Sequence, residues 1–407
     1  MTPPPLRPLE ASRVMEDGKA YLSLRDPEGF TDKLILLSPL DALIAARLNG
    51  RTPAAKIAKA VARQTGVAGL GAERVEELVK ALDENLMLDS GRFREHKKSL
   101  AEDFRKASSR PAHLAGRSYA AKPGELEKSL DSHLEFPGGP GKDFESGAAP
   151  LTGLVAPHID FERGAAAYAW SYREVLRSGL ADLYVIFGVA HQNPPTPLIL
   201  TRKDHETPFG AAKVDRELAA ALADKAPYDL SKDELVHRNE HSIEFQAVYL
   251  KYAQKRLGGD FKILPILCSS CDLRGEEPGE RTMKTLERLR DLLKDYPGKV
   301  CLLAGVDLAH IGPCFGDPEN VTPKELKETL RRDKENLERL ADRDAQGFLA
   351  SVMNDSNRRK VCGVNALHAF SWLHRELFPK SKGETLYLGH AADPSGGEVT
   401  FASMAFR

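Results

Sequence analysis

Three histidines follow apolar segments that have the composition of buried β-strands. LTGLVAP leads to His158, LYVIFGVA to His191 and CLLAGVDLA to His310. In open α/β sheets, ligands bind beyond the carboxyl ends of the strands, so these imidazoles are predicted to share one edge of one sheet. Imidazole is the commonest transition-metal ligand, and two or three of them with a carboxylate suit iron, zinc, copper or manganese. The spacing therefore predicts a metal or catalytic site.

Two aspartates accompany these histidines. Asp160 lies two residues after His158, and Asp307 lies three residues before His310. Each could bind the metal directly or accept the second ring N–H of a ligating histidine. We take Asp307 as a candidate catalytic residue.

A fourth histidine lies at the start of a predicted helix. In the segment RNEHSIE, Asn239 is a plausible N-cap, which places Glu240 and His241 in the first turn. One interpretation is that Glu240 complements the helix dipole. The other is that Glu240 and His241 form an acid/base pair facing the histidine site. The density of polar motifs around this site favours the second interpretation.

The elements that must position these side chains occupy residues 151–407. Short apolar runs alternate there with amphipathic helical segments, and the chain closes with ETLYLGHAA and GEVTFASMAF, predicted to pair as a hairpin. This alternation predicts an α/β fold with a mixed, largely parallel sheet and helices on both faces.

The remaining residues are predicted to form a small domain and a linker. Residues 19–37 indicate two strands around a turn, three helices follow, and residues 86–88 are predicted to return as a strand. This layout predicts a winged-helix-like domain over 1–107. Residues 108–150 are rich in Gly, Ser and Pro and are predicted to be a linker.

Composition excludes several classes of protein. The 407 residues carry 58 Lys and Arg against 59 Asp and Glu, which excludes a generally basic nucleic-acid coat. Five cysteines are too few for a disulfide framework, and Cys268-x-x-Cys271 has no second pair at zinc-ribbon spacing. Neither a signal peptide nor a membrane-spanning run is recognisable, so we expect a cytoplasmic protein without nucleic-acid or membrane partners.

Six ordered motifs resemble the MEMO family, whose prokaryotic members are known as AmmeMemoRadiSam system protein B. They are APHIDFERG, GVAHQNP, TPFGAAKVD, NEHSIEFQAVYL, LLAGVDLAHIGP and VCGVNAL. The resemblance covers about 151–407 and implies a fold similar to class III extradiol dioxygenases, which bind non-haem iron. It implies that His158 and His191 are metal ligands, that His241 with Glu240 does acid/base work, and that the block containing His310 supplies the third ligand.

In family members that have a cysteine in this block, the cysteine lies directly before the histidine. This chain departs from that pattern, because it has Ala309 at that position. The third ligand is then His310, Asp307, Glu240 or water, and we take His310 as the first candidate. The sequence leaves two roles open for Cys362, which either lines the pocket or packs in the protein interior. The resemblance implies a divalent metal, with iron the first candidate and copper or zinc the alternatives.

The N-terminal part resembles PqqD-like peptide-recognition domains in its sequence pattern LSPLDALIAARLNG. We therefore expect a metal-dependent, dioxygenase-like oxidoreductase of the AmmeMemoRadiSam system. The alternative is a non-catalytic metal- or peptide-binding module that docks a radical-SAM partner. A hydrolase acting through metal-bound hydroxide is a third hypothesis. The resemblances also imply an AMMECR1-like partner, and a peptide bound by the N-terminal domain.

Overall fold

The computed structural model describes residues 1–274 and 277–407, which divide into two compact units. The first unit is Met1–Lys106 and the second is Ala107–Arg407. No helix among the described residues is both long enough and apolar enough to cross a membrane.

The first unit combines a three-stranded antiparallel sheet with four helices. Its elements are β1 (Glu10–Glu16), β2 (Lys19–Arg25), β3 (Ile35–Leu37), α1 (Pro39–Ala45), α2 (Ala54–Thr65), α3 (Ala72–Glu84) and α4 (Gly91–Lys106). The sheet has the order β1-β2-β3. The side chain of Ser38 caps α1 by accepting a hydrogen bond from the backbone N–H of Asp41, and Gly66 ends α2 in the left-handed region at φ 73°.

The predicted return strand at residues 86–88 is wrong. Leu88 forms only an isolated bridge with Leu6, and its side chain is buried in the core of the first unit. Leu86 has a φ of 62°, outside the extended region that a strand requires. The sequence also did not predict β1, in which every residue is exposed.

The second unit is built on a nine-stranded mixed sheet. Its elements are β4 (Ser109–Arg110), α5 (Pro123–His133), β5 (Gly153–Ala156), α6 (Ala165–Ser178), β6 (Leu183–Val189), β7 (Leu198–Leu200), β8 (Asp204–His205), β9 (Lys213–Val214), α7 (Arg216–Asp224), a 3₁₀ helix (Glu234–Arg238), α8 (His241–Leu257), β10 (Lys262–Cys268), β11 (Leu273–Arg274), β12 (Glu277–Pro278), α9 (Glu280–Lys294), β13 (Val300–Gly305), β14 (His310–Ile311), a 3₁₀ helix (Pro313–Phe315), α10 (Pro323–Ala341), α11 (Ala345–Met353), α12 (Val364–Leu377), β15 (Gly383–Asp393) and β16 (Gly397–Phe406).

The predicted fold class is confirmed. The order of the main sheet is β14-β16-β5-β13-β6-β10-β7, with β15 paired to β16 and β9 to β10. The central strands β5, β13, β6 and β10 are parallel. Strands β15 and β16 form the predicted hairpin, with Asp393 opposite Gly397 and a shift in register between Thr385 and Tyr387.

Two glycines let the start of α8 approach the sheet closely. A Cβ at Gly188 on β6 would lie 2.6 Å from side-chain atoms of Ser242 and Ile243, and one at Gly305 on β13 would lie 2.5 Å from the carbonyl oxygen of Ser242. Because glycine has no Cβ, these strands accept the helix terminus at a distance other residues would prevent. The first turn of α8 is thereby held at the carboxyl ends of the parallel strands.

The sequence predicts a linker for residues 108–150. In the structure these residues belong to the second unit. They contain α5, and Tyr119, Leu126 and Leu130 are buried in the hydrophobic core of that unit.

Candidate metal centre

Two of the strand-end histidines project from equivalent positions on the sheet. His158 lies two residues after the end of β5, and His191 lies two residues after the end of β6. Both strands pair in parallel with β13, which lies between them. Their imidazoles therefore meet at the same edge of the sheet, where α8 begins with His241.

The three imidazoles of His158, His191 and His241 form a compact cluster. Their ring centroids lie 4.9 Å apart for His158 and His191, 5.0 Å for His158 and His241, and 4.8 Å for His191 and His241. One nitrogen atom from each ring lies within 4.8 Å of the others, which is a geometry that could hold a metal ion. Neutral imidazole nitrogens are good ligands for iron, copper and zinc.

Hydrogen bonds orient His158 within this cluster. Its Nδ1 lies 3.0 Å from the carbonyl oxygen of Gly305, and its backbone N–H donates to Oδ1 of Asp307 at 2.9 Å. Since a carbonyl can only accept, Nδ1 carries the proton and Nε2 keeps its lone pair in the neutral ring. Burial, together with the neighbouring His191 and His241, holds the pKa of His158 well below its ordinary value. The ring is therefore neutral and available as a ligand.

Glu240 supports the cluster from the N-cap position of α8. Its carboxylate accepts hydrogen bonds from the backbone N–H groups of His241 and Ser242, so the cap is Glu240 and the predicted Asn239 cap is wrong. The same carboxylate accepts from Nδ1 of His191 at 3.0 Å. A carboxylate bound to the far side of a ligating imidazole fixes the ring and strengthens it as a donor.

The negative charge of Glu240 and the positive charge of His191 stabilise each other. Burial alone would raise the pKa of Glu240, but His191 and His241 hold it well below its ordinary value. Desolvation alone would lower the pKa of His191, but Glu240 raises it well above its ordinary value. Burial lowers the pKa of His241 to about 4. A metal ion bound here would therefore replace a proton on His191.

Asp307 lies beside the cluster and is 2 % exposed. Its Oδ2 is 3.6 Å from Nε2 of His158, and burial raises the pKa of its carboxyl group to about 7. All three predicted catalytic residues therefore lie near His158 and His191. They are Asp307, Glu240 and His241.

His310 is placed differently from the prediction. It is not part of the three-imidazole group found among the described residues, where His241 takes the third position instead. Strand β13 ends at Gly305, so His310 lies five residues beyond the strand and belongs to β14, which pairs with β16. Its Nδ1 lies 3.1 Å from the carbonyl oxygen of Leu308.

Cys362 lies against the cluster, and its role was left open by the sequence. Its sulfur atom is 3.3 Å from Nε2 of His158. The residue follows a loop in which Ser356, Asn357 and Lys360 have positive φ angles of 57°, 52° and 51°. The motif VCGVNAL was the signal for this residue, but only the fold shows how close the thiol lies to His158.

A cavity of about 670 Å³ opens in front of these side chains. Its apolar lining includes Leu114, Ile159, Phe245, Phe315 and Val399. His310, Asp160, Arg163, Lys360 and Asp393 also line it. The predicted Asp160 accepts a hydrogen bond from Nε of Arg163 at 2.5 Å, so it is committed to an ion pair. A largely apolar cavity with a few polar groups is typical of a small-molecule site.

The chain is similar to one described family of proteins over most of its length. A model of that family, described as Memo-like protein, matches residues 110–398. A MEMO1 family protein of Aquifex aeolicus is 28 % identical over 384 residues, covering 94 % of this chain and 95 % of that protein. MEMO1 family proteins of Thermus thermophilus and Methanopyrus kandleri are 30 % and 27 % identical, covering 75 % and 72 % of this chain and 85 % and 97 % of those proteins. The match to the model begins at Arg110, upstream of the region from 151 that the sequence motifs indicated.

Proposed function

Because the chain belongs to the Memo-like protein family, we propose that the cluster of His158, His191 and His241 binds a divalent transition metal and that the protein is a non-haem metal oxidoreductase. The observation that carries the metal site is the placement of three imidazole nitrogens within 4.8 Å of one another. Iron is the first candidate for the metal, and copper and zinc are the alternatives.

The donor set fits such an ion. His158 offers Nε2 because its Nδ1 donates to Gly305, and His191 offers Nε2 because its Nδ1 faces Glu240. The thiol of Cys362 is a soft donor beside Nε2 of His158. Nitrogen and sulfur donors favour transition metals over magnesium or calcium, which prefer oxygen.

A bound iron ion would supply one-electron redox chemistry and Lewis acidity at this edge of the sheet. The protein residues would orient the ligands and shape the space around them. Glu240 fixes His191, and the side chains of Phe245, Phe315 and Val399 give part of the cavity an apolar surface that suits an organic substrate. Docking of a radical-SAM or AMMECR1-like partner, and of a peptide by the first unit, stays a prediction from sequence.

The proposal is tested by metal loading followed by elemental analysis. The purified full chain is loaded separately with Fe(II) under anaerobic conditions, with copper and with zinc, and is then desalted. We expect stoichiometric metal in the parent protein and loss of that metal in His158→Ala and in His191→Ala. His390→Ala is the matched control, since His390 is a partly exposed histidine that pairs with Glu398 on the final hairpin.

Oxidoreductase function requires a second measurement. Iron-loaded protein should change oxidation state on exposure to dioxygen or peroxide, followed by its optical and EPR spectra. Retention of no metal under any loading, or equal retention by the parent and His158→Ala, would overturn the metal site. Stoichiometric zinc with no redox-active metal under any condition would overturn the oxidoreductase assignment.

A further inference from the structure

A continuous row of aromatic rings leads away from the histidine cluster within the second unit. The ring of His241 lies 5.6 Å from that of Phe245, Phe245 lies 4.7 Å from Phe161, and Phe161 lies 5.0 Å from Tyr249, measured between centroids. These are the distances of aromatic rings in contact. Packed rings therefore join the proposed metal site to Tyr249 without a gap.

Tyr249 is the middle ring of a stack of three tyrosines. Tyr168 lies 4.8 Å from it with planes 8° apart, and Tyr172 lies 4.6 Å from it with planes 14° apart. The three phenols have different partners. Tyr168 donates to a peptide carbonyl and Tyr172 to a side-chain amide oxygen, whereas the hydroxyl of Tyr249 lies 2.6 Å from Nδ1 of His133. In this stack, Tyr249 is the phenol whose partner is a base.

His133 is suited to accept the phenolic proton of Tyr249. It lies on α5 and is 6 % exposed, and burial lowers its pKa to about 4. The ring is therefore neutral near pH 7, and Nδ1 accepts from the phenol when the ring proton is on Nε2. Oxidation of a phenol makes its proton strongly acidic, so a neutral imidazole at this distance can take it up.

The row of rings continues from Tyr249 to the surface. The ring of Tyr252 lies 6.4 Å from that of Tyr249, and its hydroxyl donates to Oδ1 of Asp131 at 2.5 Å. Asp131 pairs with Arg256, and the side chains of these two residues are 39 % and 40 % exposed. Tyr249 thus lies between the histidine cluster and a point where an external reductant can approach.

We propose that Tyr249 and His133 form a redox-active pair that passes electrons, one at a time, to the histidine cluster through Phe161 and Phe245. This inference rests on the proposed function, because it assigns the pair to a redox reaction at that cluster. The co-reactant at the cluster is a peroxide. Each step removes one electron from Tyr249 and breaks its O–H bond, and the proton forms an N–H bond at Nδ1 of His133.

The products of each step are a neutral tyrosyl radical and an imidazolium. Two such electrons, together with two protons taken up from solvent at the cluster, reduce one hydrogen peroxide to two waters. After each step, a one-electron reductant in solution gives up one electron to the Tyr249 radical by way of Tyr252, and the proton moves back from His133 to the phenolate oxygen of Tyr249, so that the pair is restored before the second step.

The test looks for a tyrosyl radical by EPR and optical spectroscopy in two arms. In the first, metal-free full-length protein is oxidised by a photogenerated ruthenium(III) complex. In the second, Fe(II)-loaded protein is mixed anaerobically with one equivalent of hydrogen peroxide. We expect the radical in both arms, its loss in Tyr249→Phe and in His133→Asn, and its retention in Tyr168→Phe. Tyr168→Phe is a matched control because it removes a phenol from the same stack.

The outcomes separate this inference from the proposed function. Bound iron with no Tyr249-dependent radical in either arm overturns the redox pair and leaves the metal site standing. A Tyr249-dependent radical in the first arm alone, with iron bound, overturns the connection to the histidine cluster. If no metal binds, the proposed function fails, and the first arm still decides whether Tyr249 and His133 are redox-active. Tyr249→Phe keeps the ring, and circular dichroism and thermal melting establish that each variant is folded.

Discussion

His241 and His310 line the same cavity, yet their surroundings suit them to different roles. His241 places a ring nitrogen within 4.8 Å of nitrogens of His158 and His191. The Nδ1 of His310 lies near a peptide carbonyl, and its ring packs edge-on against Phe315 at 5.1 Å. A histidine placed as His310 is can contact a substrate in the cavity without binding the metal.

We therefore predict that His241→Ala loses stoichiometric metal and that His310→Ala retains it. Removing one of three protein ligands should weaken metal affinity more than 100-fold. Substitution of residues that only hydrogen-bond to the ligands already weakens metal affinity about 10–100-fold. Isothermal titration with Zn²⁺, an ion without redox chemistry, gives both affinities. The reverse ranking would restore His310 as the third ligand.

The distance of each histidine from its strand end explains what the sequence could and could not predict. Apolar runs located β5, β6 and β13, and the histidines that follow β5 and β6 meet at one edge of the sheet, as the sequence predicts. His158 and His191 each follow their strand by two residues, whereas His310 follows by five because β13 stops at Gly305. Hydrophobicity alone did not show that stop, since Val306, Leu308 and Ala309 are apolar and buried outside the strand.

At the scale of elements, a buried ion pair ties the start of the second unit to α8. NH1 of Arg110 lies 2.5 Å from Oε2 of Glu244, and both side chains are fully buried. Arg110 also donates to the carbonyl oxygens of His237 and Glu240. Glu244 in turn accepts from the hydroxyl of Tyr119. The pair holds the first turn of α8, which carries Glu240 and His241.

We predict that Arg110→Met lowers the free energy of unfolding by about 3–5 kcal/mol, because Glu244 would remain buried without its cation. Chemical denaturation of the full chain measures the loss. Lys142→Met is the control. Its pair with Glu135 has the same 2.5 Å separation but is about half exposed, so its removal should change stability by less than about 1 kcal/mol. Equal losses in the two variants would show that burial does not distinguish these pairs.

The same contacts show why composition was a poor guide to residues 108–150. Glycine, serine and proline favour irregular structure, and this segment has much of it. Irregular backbone can still be fixed by side chains, here by Arg110 and Tyr119 on Glu244 and by Leu126 and Leu130 in the core. Partners of this kind lie more than a hundred residues away in the chain, so no local pattern reveals them.

At the scale of the whole molecule, several histidines are buried away from the candidate site. Burial lowers the pKa of His237 and His374 to about 3 and that of His368 to about 4. In the unfolded chain, histidine titrates near 6.5. Below that pH the unfolded state binds more protons than the folded state, so stability falls as pH decreases from about 6.5 towards the folded pKa values.

For one such histidine, we predict a loss of about 2 kcal/mol between pH 8 and pH 5. His374→Phe should remove this part of the pH dependence, because phenylalanine retains the packing on Phe370 and Phe406 but does not titrate. Urea denaturation of metal-free parent and variant at the two pH values gives the difference. An unchanged difference between pH 8 and pH 5 would mean that His374 is not kept neutral by the fold.

The two compact units also predict where the chain can be shortened. Each unit has its own hydrophobic core. A chain starting at Ala107 keeps Arg110, Tyr119 and α5, whereas one starting at Ala148 loses them all. The shorter chain loses the contacts of Arg110 and Tyr119 with Glu244 and uncovers that carboxylate. It also removes two buried leucines, Leu126 and Leu130, worth about 1.5–3 kcal/mol each, and exposes the core that they cover. These losses are comparable to the entire 5–15 kcal/mol stability of a typical domain.

We therefore expect residues 107–407 to unfold cooperatively and to bind metal with the affinity of the full chain. Residues 148–407 should be insoluble, or should bind metal far more weakly, because the first turn of α8 has lost the contacts of Arg110. Thermal melting and metal titration of the two fragments, produced in parallel, distinguish these results. Equal stability and metal affinity in both fragments would show that residues 107–147 are dispensable for the fold, in keeping with a linker.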